Sequence, residues 1–527
     1  MESLKEQFNN KDKFCIGVEL VNTRGIISQD NSDKKLNLIN SLSENPDLDW
    51  FSITDSAGGN PTMSPDFLAE KLLAKNKNVV IHITCKDHNR NGLESIAWKY
   101  ASKGFNNLLA ITGDYPVEGY SGLAQPVFDL DSVSLIKMLD DMNRGLKVNG
   151  RKPGSFVQLD KTNFFTGCAV SPFKYSEAEQ MMQYEKLKLK INSGAEYIIS
   201  QLGYNIRKSH ELISYLKKEN INVPLIGYSY LLSNGVANIF NKGVIPGCVV
   251  SDELLKKVRK EKNSPDKGKA FFIDFAARQI AAFKAMGYQG AYLGGINKYE
   301  DFIEIIKKSK QYSKENYLNF IKDMSYPLKN EFYFFQKDKK TGLSDVKNIN
   351  PEYLRQRKPL FSKYVTPLYR FSRLVHKLFF DYNAPFFNFS KGYYKIIEKK
   401  HFSGLNRLSY FNERFWKRLL FKCKECGDCS LPDITYLCPM SQCEKNQRNG
   451  PCGGSLKNKC EVTKTGRECI WVKAYYRNKR FNGNDEGLLN RKAAIINNEL
   501  KDTSSWANCF MLRDHNAYKG IKKSKKK

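Results

Sequence analysis

Short apolar runs alternate with helix-like stretches along the first 300 residues of the chain. Several runs are rich in Ile, Val and Phe and lack polar alternation, which is typical of parallel strands buried on both faces. The pattern predicts strands at Phe14–Leu20, Leu48–Thr54, Val79–Thr84, Asn107–Thr112, Asn163–Val170, Glu196–Gln201, Val223–Tyr228 and Gly290–Gly294.

Helix start and stop signals lie between these runs. Ser64-Pro65-Asp66 combines an N-cap, a first-turn proline and an acid suited to the helix dipole. The interval from Tyr228 to Gly290 is too long for one crossover and predicts an extra helix around Ser251–Lys260. The other predicted helices are Gly92–Lys103, Asp131–Met142, Ser176–Asn192, Ile206–Glu219 and Lys269–Met286.

The alternation of strands and helices predicts an α/β protein with a (β/α)8 TIM barrel. A doubly wound sheet is the competing layout, but no Gly-x-Gly-x-x-Gly or phosphate-loop motif follows any predicted strand. The amino-acid composition changes after the predicted barrel, and these changes divide the chain into four predicted regions. They are the barrel at 1–311, an aromatic and basic connecting segment packed on the barrel at 312–422, a cysteine-rich metal-binding module at 423–480, and a polar, basic tail at 481–527.

The net charge of +30 would suit a nucleic-acid partner. Most of the excess lies after residue 300 and is spread evenly over lysines, which favours compositional drift and makes nucleic acid an unlikely partner. No apolar run approaches the ~18 residues of a membrane span, and the start of the chain does not resemble a signal peptide. We therefore expect a cytoplasmic protein without a membrane span.

Polar side chains stand where several predicted strands end. Glu19 lies inside an apolar run, where burial would raise the pKa of its carboxyl into the range of a general acid. Each of these residues also has a purely structural interpretation. Glu19 could form a structural ion pair, His82 could be a core histidine, and Gly113-Asp114 could be an ordinary turn. Because the carboxyl ends of barrel strands meet at one face, these groups would converge there: Glu19, Thr54, His82, Asp114, Gln201 and Tyr228.

Over about residues 12–300 the sequence resembles the methylenetetrahydrofolate reductase family. The resemblance is carried by an ordered set of short motifs: Glu19 on the first strand, Ile53-Thr54 with the glycine-rich loop Gly58–Pro61, His82–Cys85, Leu109–Pro116, Leu187–Ala195 and Ile199–Gln201. It implies a barrel that holds FAD and moves a hydride between flavin and a tetrahydrofolate one-carbon substrate.

The resemblance also implies a role for each matching residue. Glu19 would be the catalytic acid that protonates the folate, and Asp114 would act beside flavin and pterin in catalysis and substrate binding. Gln201 would bind the folate. The implied FAD contacts are Thr54, His82, Gly113 and Lys190.

Three segments depart from the family pattern. Leu20–Arg24 replaces the usual aromatic-Pro-Pro segment, Thr112 stands where an arginine is common, and Ser171–Tyr175 lacks the usual histidine. The electron donor is accordingly left open between NAD(P)H and a redox protein, and a homo-oligomer is a further expected partner.

Eight of the 13 cysteines crowd into one region, as expected of metal ligands in a reduced compartment. The spacing Cys423-x2-Cys426-x2-Cys429-x8-Cys438 suits a [4Fe–4S] cluster or zinc, and Cys443, Cys452, Cys460 and Cys469 would supply another site or structural thiols. The region around 400–480 resembles the C-terminal module of certain methylenetetrahydrofolate reductases, which implies metal binding and electron delivery to the flavin.

The expected activity is a flavin-dependent interconversion of 5,10-methylenetetrahydrofolate and 5-methyltetrahydrofolate. The first alternative is a folate-binding protein of one-carbon transfer or demethylation without reductase activity. The second, less favoured, is a nucleic-acid-binding zinc protein, since the cysteine region lacks arginine-aromatic motifs.

Overall fold

The computed structural model describes residues 2–26, 29–312, 317–355, 363–463, 465–481, 488 and 491–519. The chain forms two compact units. One comprises Met1–Leu354 and Cys452–Lys464, and the other comprises Arg355–Pro451 and Thr465–Lys527. In the described part of the chain, every helix is too short or too polar to span a membrane.

The first unit contains a closed parallel barrel with strand order β1-β10-β9-β8-β7-β4-β3-β2. The predicted (β/α)8 barrel is therefore confirmed. Strands such as β3 are buried along their whole length, as their continuous apolar runs indicate. The strands are β1 Cys15–Leu20, β2 Trp50–Ile53, β3 Asn78–Thr84, β4 Asn107–Ile111, the hairpin strands β5 Lys147–Asn149 and β6 Phe156–Gln158, then β7 Phe165–Val170, β8 Tyr197–Ser200, β9 Leu225–Tyr230 and β10 Gly290–Gly294.

Helices flank the barrel, including the extra helix expected between β9 and β10. That helix, α9, begins where the Ser251 hydroxyl accepts a hydrogen bond from the Leu254 amide at 3.3 Å. The helices of this region are α1 Leu4–Asn9, α2 Gln29–Glu44, α3 Asp66–Leu73, α4 Arg90–Ser102, α5 Ser132–Arg144, α6 Glu177–Asn192, α7 Ile206–Lys218, α8 Asn234–Asn241, α9 Asp252–Glu261, α10 Lys269–Met286 and α11 Tyr299–Ser309.

Aromatic rings fill the end of the barrel at which the strands begin. Phe8 of α1 packs edge-on against Trp50, Phe165 and Tyr197, with ring centroids 5.3–6.0 Å apart. Gly17 is required here because a Cβ at this position would lie 2.1 Å from the Trp50 ring. The opposite end, where the strands finish, remains available for a site.

The chain that follows the barrel packs back onto α7 through a buried ion pair. Lys208 and Glu211 are both fully buried, with Nζ and Oε1 3.8 Å apart. Lys208 donates to the Phe332 carbonyl, and Glu211 accepts from the Phe334 amide at 2.7 Å. This part of the predicted connecting segment thus lies on the barrel; its elements are α12 Tyr317–Ile321, β11 Phe335–Lys337, β12 Ser344–Ile349 and α13 Pro351–Leu354.

The second unit is helical. It begins at Arg355, inside the predicted connecting segment, and it includes the described part of the predicted tail. Ala507 and Phe510 from a short helix of that tail are buried in an apolar cluster with Phe387, because burying their apolar surface is favourable. Residues 520–527 lie outside the described residues. The helices are α14 Pro367–Val375, α15 Phe387–Ile397, α16 Ser403–Phe421, α17 Pro439–Gln442, α18 Ile470–Phe481 and α19 Ser505–Phe510.

Replacing the buried cation with an apolar side chain tests the docking of residues 317–354. Lys208→Met leaves Glu211 as an uncompensated buried charge, so we expect the free energy of unfolding to fall by about 3–5 kcal/mol. Thermal unfolding of the full chain, followed by circular dichroism, measures the change. Lys218→Met, an exposed position on the same helix, is the control and should change stability by less than about 0.5 kcal/mol; equal effects of the two substitutions would contradict the assignment.

Candidate active site

The polar side chains singled out from the sequence lie at the carboxyl ends of the barrel strands. Glu19 is near the end of β1, and Thr54 directly follows β2. Gly113-Asp114 comes just after β4, and Gln201 directly follows β8. The carboxyl ends of parallel barrel strands share one face, so these residues surround one mouth.

The Glu19 carboxyl is half-buried and is held by two tyrosine hydroxyls. Tyr228 donates to Oε2 at 2.6 Å, and Tyr292 donates to Oε1 at 3.3 Å. Burial raises the pKa of Glu19, while the two hydrogen bonds lower it and leave a net upward shift. The protonated form of Glu19 is therefore more favoured in this site than it would be in water.

Tyr292 was not singled out from the sequence, although it completes the acid's surroundings. It lies on β10, 273 residues after Glu19 in the chain, inside an apolar run that gives no local signal of function. Its hydroxyl also bonds to Ser52 of β2.

His82 is linked to Tyr292 through Ser52, whose side chain hydrogen-bonds to both. Its Nε2 is 2.8 Å from the Ser52 hydroxyl. Burial lowers the pKa of His82 to about 4, so its ring is neutral near pH 7. A neutral imidazole can donate or accept one hydrogen bond on each side without placing a charge in the barrel.

Asp114 fixes the glycine-rich loop that follows β2. Its Oδ2 accepts a hydrogen bond from the Gly58 amide at 2.8 Å. The next residue, Gly59, has φ +78°, and a Cβ there would lie 2.1 Å from the Tyr115 carbonyl oxygen. The close approach of the β2 and β4 loops therefore requires glycine.

The loop that carries Cys248 approaches both acidic residues of the candidate site. The pKa of Cys248 is raised to about 12, first by burial and then by the charges of Asp114 and Glu19. A Cβ on the adjacent Gly247 would lie 3.3 Å from Nε2 of Gln201. This loop therefore lies near Glu19, Asp114 and Gln201, and no sequence motif indicated it.

Three buried oxygens at the mouth have no hydrogen-bond partner among the described residues. They are Oγ1 of Thr54, Oδ1 of Asn22 and Oγ of Ser171. Each residue follows the end of a barrel strand. Buried polar atoms are normally paired, so this arrangement fits a polar ligand such as FAD at the mouth.

Lys190 lies on α6 with a second buried amine one turn away. Its Nζ donates to the Ala169 carbonyl at 2.6 Å. Burial lowers the pKa of Lys190 and also lowers that of Lys186, to about 8, while the Asp131 carboxylate opposes both shifts. The two amines form a cationic position suited to a diphosphate, and the sequence analysis identified only Lys190.

A segment from the cysteine-rich region belongs to the barrel unit. Lys174, in the loop after β7, donates to the Ser455 carbonyl at 2.9 Å and to the Gly453 carbonyl. The Asn458 amide donates to Glu179 Oε1 at 3.0 Å. The Gly453 carbonyl is also 3.5 Å from the position of a Cβ on Gly247. We call residues 452–463 the mouth segment, since Gly453 lies against the loop beside Gln201.

Four of the predicted metal ligands line one pocket of the second unit: Cys423, Cys426, Cys429 and Cys438. Lys417 is buried beside them, and the nearby sulfurs and Glu413 raise its pKa despite the opposing effect of burial. Four cysteines beside a buried cation would suit an anionic metal–sulfur group. Among the described residues, no group of three or more histidine, cysteine, aspartate or glutamate side chains is arranged closely enough to hold a metal ion.

The other four predicted ligands are divided between the two units. Cys452 and Cys460 belong to the mouth segment, whereas Cys443 and Cys469 belong to the second unit. The Cys452 sulfur lies 3.1 Å from Glu461 Oε1. All 13 cysteines lie among the described residues, and none of them is in a disulfide there.

The fold and the polar mouth define a (β/α)8-barrel protein with a cysteine-rich C-terminal extension. Residues 5–310 match the family model described as methylenetetrahydrofolate reductase, and residues 402–496 match the model described as methylene-tetrahydrofolate reductase C terminal. The first match covers more than half of the chain, which therefore belongs to the methylenetetrahydrofolate reductase family.

Two of the solved structures that this chain resembles have low sequence identity to it. One is an uncharacterized protein from Clostridium thermocellum that binds two copies of 5-methyl-5,6,7,8-tetrahydrofolic acid, with 16% identity and a TM-score of 0.40 over 58% of this chain and 98% of that chain. Another is 2,3-dimethylmalate lyase, a PEP mutase/isocitrate lyase superfamily member, with 11% identity and a TM-score of 0.31 over 56% of this chain and 81% of that chain. No curated protein matches the sequence.

Proposed function

We propose that this protein is a flavin-dependent reductase that interconverts 5,10-methylenetetrahydrofolate and 5-methyltetrahydrofolate. The observation that supports this most directly is the half-buried Glu19 carboxyl, which two tyrosine hydroxyls hold at the barrel mouth. Asp114 and Glu19 both lie near the loop that carries Cys248. Membership of the family supports the folate substrate.

Glu19 would act as the general acid in the reducing direction. Its proton passes to the ring nitrogen that leaves the methylene carbon as the five-membered ring opens, and a hydride then adds to that carbon. When bound, FAD supplies this hydride. Proton and hydride together convert the methylene group to a methyl group, and Glu19 is reprotonated from solvent through the mouth.

The remaining residues would bind and orient. Thr54, His82, Gly113 and Lys190 would contact FAD, with the unpartnered Thr54 hydroxyl and the neutral His82 ring as hydrogen-bonding groups. Asp114 would lie between flavin and folate, and Gln201 would hold the folate. The buried amines of Lys190 and Lys186 would face the diphosphate of FAD.

The second unit would carry a [4Fe–4S] cluster on Cys423, Cys426, Cys429 and Cys438, as a route for electrons from a redox protein. Support comes from the four thiols around one pocket and from two buried cations nearby. The pKa of Lys417 is raised by the cysteine sulfurs and Glu413, and that of Arg448 is raised first by Asp428 and then by the sulfurs. Buried cations offset the negative charge of a thiolate-bound cluster.

Removing the acid tests the reductase proposal. Glu19→Gln keeps the size of the side chain but cannot supply the proton, so we expect turnover of 5,10-methylenetetrahydrofolate to fall by about 10²–10⁴-fold with flavin still bound. Anaerobic single-turnover assays that follow flavin absorbance measure the loss. The control is Glu118→Gln, an exposed carboxylate paired with Arg24, which should retain activity.

Two outcomes would contradict the proposal. Retained turnover in Glu19→Gln would remove Glu19 as the acid. A colourless wild-type protein that binds 5-methyltetrahydrofolate would instead support the folate-binding alternative without reductase activity.

The pH profile tests the tyrosine–glutamate contact. Activity needs protonated Glu19, so it is present at low pH and is lost as pH rises through the pKa of Glu19. The Tyr228 hydrogen bond lowers that pKa, and Tyr228→Phe should therefore shift the loss of activity to higher pH. Tyr230→Phe on the same strand, with no hydrogen bond to Glu19, should leave the profile unchanged; a shift to lower pH in Tyr228→Phe would refute the contact.

Elemental analysis tests the cluster. Cys426→Ser should lose most of the bound iron of anaerobically purified protein, because a hydroxyl is a poor replacement for a thiolate. Cys509→Ser in the same unit, outside the four-cysteine pocket, should retain it. Zinc in place of iron in the wild type would overturn the cluster, and unchanged iron in Cys426→Ser would overturn this ligand.

A further inference from the structure

Helix α15 of the second unit is apolar on two faces. One face, which includes Phe387 and Tyr394, is buried in the apolar cluster with α19. The other exposes large apolar side chains at intervals of three or four residues, a spacing that places them on one stripe of the helix: Phe386, Phe389, Tyr393 and Ile396. The exposed stripe is therefore additional to the face that packs the helix into the unit.

The neighbouring helix α16 carries a second exposed stripe. Its members also recur at intervals of three or four residues, and they are Leu405, Leu408, Phe411, Phe415 and Leu419. The Tyr393 hydroxyl of α15 lies 2.5 Å from the Ser409 hydroxyl of α16, so the two helices are joined beside both stripes. We call the two stripes together the α15–α16 surface. Exposed apolar residues grouped in this way mark interaction sites.

An apolar cavity of about 880 Å³ lies at the side of α16 that carries Trp416 and Leu420. Both side chains line the cavity and are exposed, as is Phe371 on its α14 wall. Leu368 and Val375 of α14 add further apolar lining. Since α16 borders both features, an apolar ligand on the α15–α16 surface has beside it a cavity that is large enough for a hydrocarbon chain.

Cations accompany the two stripes. Residues 386–422 contain nine lysines and arginines but two acids. Both acids are engaged within the unit, because Glu413 is buried and hydrogen-bonded and Glu398 forms an ion pair with Arg513. In the described part of the chain, five of the cations form no ion pair, so their charge is available to an anionic partner: Lys391, Lys395, Lys399, Arg407 and Lys422.

We propose that the α15–α16 surface attaches the protein to an anionic lipid bilayer. The stripes would enter the boundary between headgroups and acyl chains, where aromatic and aliphatic side chains are favoured, and the cations would face the lipid phosphates. A second copy of this chain is a poorer occupant, since its own surface carries the same excess of positive charge. Attachment of this kind needs no spanning helix, and it would bring the unit with the four-cysteine pocket to the membrane.

Binding of the full-length protein to vesicles tests the proposal. In sedimentation assays, vesicles of equal parts phosphatidylglycerol and phosphatidylcholine should bind at least about tenfold more tightly than vesicles of phosphatidylcholine alone. The preference should shrink at about 1 M salt, where the screening length is about 3 Å. Phe389→Gln/Phe411→Gln replaces the most exposed phenylalanine of each helix and should weaken binding to the anionic vesicles at least about tenfold.

A charge variant and a matched control accompany this assay. Lys395→Gln/Lys399→Gln should remove most of the preference for anionic vesicles. The substituted positions are exposed, so both variants should keep the unfolding temperature of the wild type. The control is Phe156→Gln/Val157→Gln, two exposed apolar residues on β6 of the barrel unit, which should bind vesicles as the wild type does.

Four outcomes would overturn the proposal. Wild-type protein that stays in solution with anionic vesicles would exclude the bilayer, and equal weakening by the control would exclude the α15–α16 surface as the site. Self-association in place of vesicle binding, abolished by Phe389→Gln/Phe411→Gln, would assign the surface to a second copy. Binding of an acidic ferredoxin in place of vesicles, lost in the same variant, would assign it to a protein partner.

Discussion

A carboxyl group inside the barrel is the constraint around which the candidate site is arranged. Charging Glu19 away from bulk water is costly, and the barrel compensates with two tyrosine hydroxyls rather than with a cation. Hydroxyls allow both protonation states, whereas an adjacent lysine or arginine would hold the carboxylate charged. The same choice leaves the acid able to give up and regain a proton, as the proposed chemistry requires.

The loops at the mouth are tied to one another rather than only to the strands below them. Asp114 holds the glycine-rich loop, the Cys248 loop reaches Gln201, and Lys174 holds the mouth segment. Part of the cysteine-rich region is thereby built into the barrel unit. A short piece of the second matched family region therefore belongs to the same unit as the first region, although about 90 residues separate the two regions in the sequence.

The lysines that give the protein its excess positive charge lie in different environments, some buried and some exposed. Lys186 and Lys190 are buried on α6, and Lys417 is buried beside the four-cysteine pocket. Four exposed lysines line a groove of the barrel unit, namely Lys322, Lys329, Lys337 and Lys457. A buried cation contributes only when it faces an anion, because desolvation otherwise exceeds the gain. Each buried amine accordingly lies near carboxylates or thiols, which the overall composition could not reveal.

Local pattern by itself determined the barrel, the extra helix α9, the acid inside the first strand and the closely spaced cysteines, because apolar periodicity and ligand spacing act over short stretches of chain. The partners of those residues were decided only by tertiary structure. Tyr292 reaches Glu19 across 273 residues because β10 closes the barrel beside β1, and the mouth segment joins the barrel through Lys174 and Glu179. Contacts of this kind depend on which strands and loops become neighbours when the barrel closes, and no short stretch of sequence carries that information.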